Sequence, residues 1–252
     1  MSDARFYCPD LNCGEIVLPA EEARHAARSR RLAPGAEVNL LDGQGSVGRG
    51  VIIRIESRSV TIDVRGVQKL PFDSPIRLTL ATACPKTSRQ AFLVEKATEL
   101  GVWAMKPLIC HHSVAIPGAS LARRWRRLAI EAAKQCGAAW IPRFDDGQSL
   151  ESVARRVGEY DQALIAVVRT DARPLLALLP DPAADSSLLA LIGPEGGWTA
   201  DEVARLTEAG AVPVSLGPRV LRVETAGIAI AAAVAMHAAS AGEQGRRPST
   251  TI

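Results

Sequence analysis

The sequence predicts an α/β protein in two parts, a small N-terminal β-barrel and a C-terminal parallel α/β sheet. Three observations carry that expectation. Short β-branched runs separated by Gly, Ser and Asp turns occupy residues 1–70, with one helix among them. Pro71 and Pro75 punctuate residues 70–75, where neither a helix nor a central strand can continue. Beyond them, apolar runs alternate with helical segments as βαβ units require. The expected domains are therefore residues 1–70 and 75–242, followed by a frayed tail over residues 243–252.

Element by element, strands are expected at residues 38–42, 50–55 and 59–64. A helix from Ala20 to about Leu32 is stopped by Pro34 and Gly35. In the second part, a strand at 76–83 precedes a helix at 88–100, and a strand at 102–108 precedes a helix at 120–136. Strands follow at 163–168, 188–192 and 212–216, the last two each leading into a helix. Residues 187–192 are apolar on both faces, as a sheet covered on both sides requires.

Composition narrows the class. With 47% hydrophobic and 23% charged residues among 252, a disordered chain is excluded. Aromatics at 4% leave the core to Leu, Ile, Val and Ala. A net charge of +3 permits an anionic partner without demanding one. Five widely spaced cysteines with no C-x-x-C pattern argue against a disulfide framework or zinc knuckle. The N-terminus has no apolar signal region, and the apolar stretch at 226–239 reads as too short to span a bilayer. A reduced, cytoplasmic protein without a membrane partner is expected.

Residues 43–48 match G-x-G-x-x-G, but a strand follows where a dinucleotide site needs a helix, so a hairpin turn is expected. Gly193-Pro194-Glu195-Gly196-Gly197 is more informative. It follows an apolar strand, and Thr199 to Glu202 form a capping box opening the next helix. Adjacent glycines admit a ligand close to the backbone; a tight turn without a ligand is the alternative. Leu216 to Thr225 repeat the strand–turn–helix logic and add Arg219, Arg222 and Glu224. Turns at the carboxyl ends of successive strands are where open α/β sheets bind ligands. The arginines suit an anion or nucleic acid, or else cap the sheet edge.

The helix at 120–136 places Leu121, Trp125, Leu128, Ala129 and Ala132 on one face. Arg123, Arg124, Arg126, Arg127 and Lys134 fall on the other, opposed only by Glu131. This strip either contacts phosphates or is a solvated face. Arg24, Arg28, Arg30 and Arg31 form a second such cluster. His111 and His112 beside Cys110 lack a second ligand pair at metal-binding spacing, so no metal is expected; His25 reads as structural or surface.

Residues 192–199, 216–226 and 94–102 resemble the ribosomal small subunit methyltransferase E family, in Ile192-Gly-Pro-Glu-Gly-Gly-Trp-Thr, Leu216-Gly-Pro-Arg-Val-Leu-Arg-Val-Glu-Thr-Ala and Val94-Glu-Lys-Ala-Thr-Glu-Leu-Gly-Val102. Glu131-Ala-Ala-Lys-Gln-Cys-Gly137 and the His25 … Arg31-Leu-Ala-Pro-Gly35 region resemble further family blocks, in the family's order. The resemblance implies methylation of N3 of a uridine in 16S ribosomal RNA with S-adenosylmethionine, by a homodimer that meets that RNA or the small ribosomal subunit. It implies a PUA-like N-terminal barrel and a C-terminal SPOUT domain with a trefoil knot. It places the cofactor on the two turns, at Leu191, Ile192, Gly193, Glu195, Gly196, Leu216, Gly217, Val220 and Leu221. Arg222 would stabilise negative charge on the uracil oxygens. Glu224 would be the base, orient Arg222 or cap the helix. Ala138 and His112 replace family arginines, removing possible RNA contacts, and Val223 replaces a threonine. The alternatives are a SPOUT enzyme acting on another RNA and an RNA-binding assembly factor without turnover. The intact turns favour an enzyme.

Overall fold

The computed structural model describes residues 4–28, 32–56, 59–169 and 171–244, with side chains except at 25–28, 87 and 241–244. Arg30, Arg31, the side chains of His25 and Arg28, and the tail from 245 lie outside the described residues. The chain divides into two compact units. One comprises Met1–Asp73 with Ile130–Ile141, the other Ser74–Ala129 with Pro142–Ile252.

The first unit holds β1 (Arg5–Tyr7), β2 (Gly14–Val17), α1 (Ala20–Arg28), β3 (Glu37–Leu41), β4 (Ser46–Ile55) and β5 (Val60–Lys69). They form a five-stranded sheet in the order β1-β3-β4-β5-β2, in which only β1 and β3 run parallel. Phe6, Leu40, Ile52, Ile62 and Val64 alternate inward to make its core. The glycine motif at 43–48 closes the β3–β4 turn. Asp42 Oδ1 accepts from the amides of Gln44 at 2.6 Å and Ser46 at 2.8 Å.

The second unit continues with β6 (Ile76–Ala83), α2 (Thr87–Glu99), β7 (Ala104–Ile109), α3 (Leu121–Cys136), β8 (Arg143–Phe144), β9 (Gln148–Ser149) and α4 (Leu150–Ala154). After them come β10 (Gln162–Ala166), β11 (Arg173–Pro174), β12 (Ser186–Ile192), α5 (Ala200–Glu208), β13 (Val212–Ser215) and α6 (Val223–Gln244). The unit division falls inside α3, at Ile130. The described strands of this sheet run β11-β13-β10-β12-β6-β7-β8, with β9 beside β7, and pair in parallel throughout. Residues 188–192 of β12 are buried on both faces, each large side chain contributing about 1.5–3 kcal/mol.

Strand order departs from chain order where it matters. β13 pairs with β10 on one flank and β11 on the other, Val214 facing both Ala166 and Arg173. The chain between β10 and β11 therefore crosses from one side of β13 to the other.

Two expectations are corrected. Lys134 is not part of a solvated basic face: its ammonium lies 2.8 Å from both Glu22 and Glu131, with the Lys134 and Glu22 side chains buried. Burial opposes its charge, but hydrogen bonds to both carboxylates outweigh that and raise its pKa. The apolar C-terminal stretch is also longer than expected. α6 has 22 residues, and Val223–Ser240 is long and apolar enough to cross a membrane by length and composition. Here it packs against α2, β6 and β12, burying Ala226, Ile230, Ala231 and Val234.

Candidate functional site

Three neighbouring strands, β13, β10 and β12, end on the same edge of the parallel sheet, and the turns beyond them enclose a cavity of about 330 Å³. Residues 166–169 line it after β10, residues 192–195, Gly197 and Trp198 after β12, and Leu216, Gly217, Arg219, Val220, Leu221 and Val223 after β13. The geometry follows from parallel pairing, which sends all three chain exits the same way. Val203 on α5 and Ala226 on α6 complete the wall.

The β12 turn is braced from several sides. Gly197 N donates to Pro194 O at 2.8 Å. The capping box starts α5: Glu202 N donates to Thr199 Oγ1 at 3.1 Å and Thr199 N to Glu202 Oε2 at 2.8 Å. The other oxygen of Glu202 accepts from His111 N at 2.7 Å, so the segment after β7 is tied to the same helix start. Trp198 Nε1 donates to Ala166 O at 3.0 Å, linking the β12 turn to the end of β10. A Cβ on Gly193 would lie 2.8 Å from that indole, so the close approach of turn and ring requires glycine. In the β13 turn, Gly217 N donates to Ser215 Oγ at 3.2 Å, and Gly217 has φ 113°.

Of the residues expected to hold a cofactor, Ile192, Gly193, Glu195, Leu216, Gly217, Val220 and Leu221 line this cavity. Leu191 is buried in the core behind it. Gly196 faces elsewhere: a Cβ there would lie 2.8 Å from His112 Cβ, and His112 Nδ1 sits 3.1 Å from Gly197 O. Arg222 is exposed between two lining residues, Leu221 and Val223. Glu224 is buried, 3.5 Å from Arg89 Nε on α2. Sequence reasoning missed the third wall, residues 166–169, and missed Trp198 and Arg89. The strand before residue 166 was legible, but no glycine motif follows it, and only sheet order brings it beside the other two turns.

The lining is chiefly apolar, with Glu195, Arg169 and Arg219 as its charged side chains. Arg169 is engaged by Asp171, Nε to Oδ1 at 2.9 Å. Such a cavity suits a small ligand that buries apolar surface and meets the turns through backbone groups. The arginines expected to meet RNA are placed individually. Arg123, Arg124, Arg126 and Arg127 are exposed on α3, and Arg24 is exposed on α1, its Nε donating to Ala20 O at 3.1 Å.

Comparison with known proteins gives a consistent picture. Residues 72–235 match a family model described as an RNA methyltransferase domain, and residues 18–65 one described as an RNA methyltransferase PUA domain. The chain is 35% identical over 243 residues to the ribosomal RNA small subunit methyltransferase E of Mycobacterium bovis, covering 92% of this chain and 89% of that one. A ribosomal RNA small subunit methyltransferase E from Neisseria gonorrhoeae, solved bound to S-adenosyl methionine, superposes with a TM-score of 0.83 at 28% identity, over 93% of this chain and 97% of that one. A putative methyltransferase from Legionella pneumophila, solved with bound cofactor SAM, gives 0.84 at 27% identity, with the same two coverages.

Proposed function

Because the chain belongs to the ribosomal RNA small subunit methyltransferase E family, we propose that its three-turn cavity holds S-adenosylmethionine for methylation of N3 of a uridine in 16S ribosomal RNA. The protein is an S-adenosylmethionine-dependent ribosomal RNA methyltransferase. The observation that carries the cofactor's placement is the convergence of three turns, from three adjacent parallel strands, on one largely apolar cavity. Its residues fit the group: apolar walls for an adenosine moiety, backbone amides and carbonyls for its polar edges, and the Glu195 carboxylate for a cationic ligand.

When bound, S-adenosylmethionine supplies an activated methyl group. The chain must orient the uridine and favour loss of its N3 proton, since the deprotonated nitrogen is the nucleophile. Exposed Arg222, between the lining residues Leu221 and Val223, is suited to stabilise the negative charge that develops on the uracil oxygens. Glu224 is buried behind the turn against Arg89, which favours an orienting role over that of a base. RNA docking is assigned to the exposed arginines of α3 and to Arg24, together with Arg28, Arg30 and Arg31.

The N-terminal unit is read as a PUA-like barrel, supported by its five-stranded sheet and the match over residues 18–65. The C-terminal unit is read as a SPOUT domain with a trefoil knot, supported by the crossing of the β10–β11 segment past β13. A homodimer is read from the resemblance to the family. A cytoplasmic location follows from a ribosomal substrate. Mass mapping of 16S ribosomal RNA from a deletion strain, with and without the gene restored, tests the reaction. A methylated uridine that vanishes on deletion and returns on restoration is expected. An unchanged map would remove the uridine assignment.

A further inference from the structure

Arg89 stands in the first turns of α2, outside every motif used to find the site. Its guanidinium nevertheless reaches both motif turns. Nη1 lies 3.8 Å from Glu195 Oε1 on the β12 turn, and Nε lies 3.5 Å from Glu224 Oε1 at the start of α6. Only Glu195 of the three lines the cavity. The Glu224 side chain is 8% exposed, and its Oε2 is buried without a hydrogen-bond partner among the described residues. A carboxylate so placed depends on the cation beside it, which among the described residues is Arg89.

We propose that Arg89 is a positioning residue for the cofactor site: one guanidinium, held between Glu195 and Glu224, sets the spacing of the two turns that face each other across the cavity. The inference rests on the cofactor reading above. A planar fork can address two carboxylates from one side chain, whereas a lysine ammonium on a flexible stem reaches one well and the other poorly. α2 is a suitable base for this device. It packs along α6 and is anchored by Leu93, Val94 and Ala97, all fully buried.

Calorimetric titration of the full-length chain with S-adenosylmethionine tests the idea. Arg89→Met should bind about tenfold more weakly, the loss expected when a buried carboxylate is left without its charged partner. Arg89→Lys should fall between Met and wild type. Glu224→Gln should also weaken binding, and the double variant Arg89→Met/Glu224→Gln should be no weaker than the worse single, because both cut one link. The single-turnover methylation rate at saturating cofactor should fall by less than the affinity does. Wild-type affinity in both Arg89 variants, or losses that add in the double variant, would overturn the proposal. If Arg89→Met does not fold, Arg89→Lys and Glu224→Gln decide, and wild-type affinity in both is the overturning result. Failure of the wild-type chain itself to bind would instead remove the cofactor reading, and this inference with it.

Discussion

Gly193 and Gly196 sit three residues apart in one turn, yet they are glycines for different reasons. At Gly193 the constraint is the indole of Trp198, at Gly196 it is His112, and in each case a Cβ would lie 2.8 Å from the nearest atom. Gly193→Ala should push the ring away and weaken its bond to Ala166 O. Cofactor affinity should drop about tenfold, read by calorimetry. Gly196→Val should act on the fold instead, costing about 1–3 kcal/mol through overpacking against His112, read by thermal denaturation. On the role proposed for Arg222, Arg222→Ala should act on the chemical step. It should lower the single-turnover rate by about 10²–10³ while changing cofactor affinity little. Thiol chemistry gives an independent check on burial. Burial pushes Cys84 up to about 11 and Cys110 up to about 12, so both stay protonated at neutral pH and gain thiolate only as the pH climbs past those values. Exposed Cys13 and Cys136 should therefore alkylate first at neutral pH, as peptide mass mapping would show.

At the scale of elements, local pattern alone makes some parts legible in the sequence: the apolar strand at 188–192, the capping box at Thr199 and Glu202, the two glycine turns. Each depends on residues a few positions apart. What escapes depends on residues brought from afar. Lys134 reads as exposed on a helical wheel because the wheel cannot show Glu22, which lies on another helix. Residues 166–169 read as an ordinary strand end because their partners, β12 and β13, come later in the chain. β1 and β2 escape notice because strands of three and four residues carry too little periodicity to register. The exposed arginines of α3 remain the element to test for RNA. Changing Arg123 and Arg127 to Ala should weaken RNA binding and flatten its salt slope by about one to two units, with cofactor affinity preserved. Titration across a salt series would read both.

At the scale of the whole molecule, β13 occupies a slot whose two sides come from one earlier stretch of chain, β10 and β11. The segment after it supplies a whole wall of the cavity, through Leu216, Gly217, Arg219, Val220, Leu221, Val223 and Ala226. During synthesis the N-terminal portions leave the ribosome and fold first. A nascent chain can thus assemble β6, β7, β10 and β12 while the gap between β10 and β11 stands empty. On the proposed reading of the cavity, competence to take up the methyl donor arrives only once the segment after β13 has joined the fold.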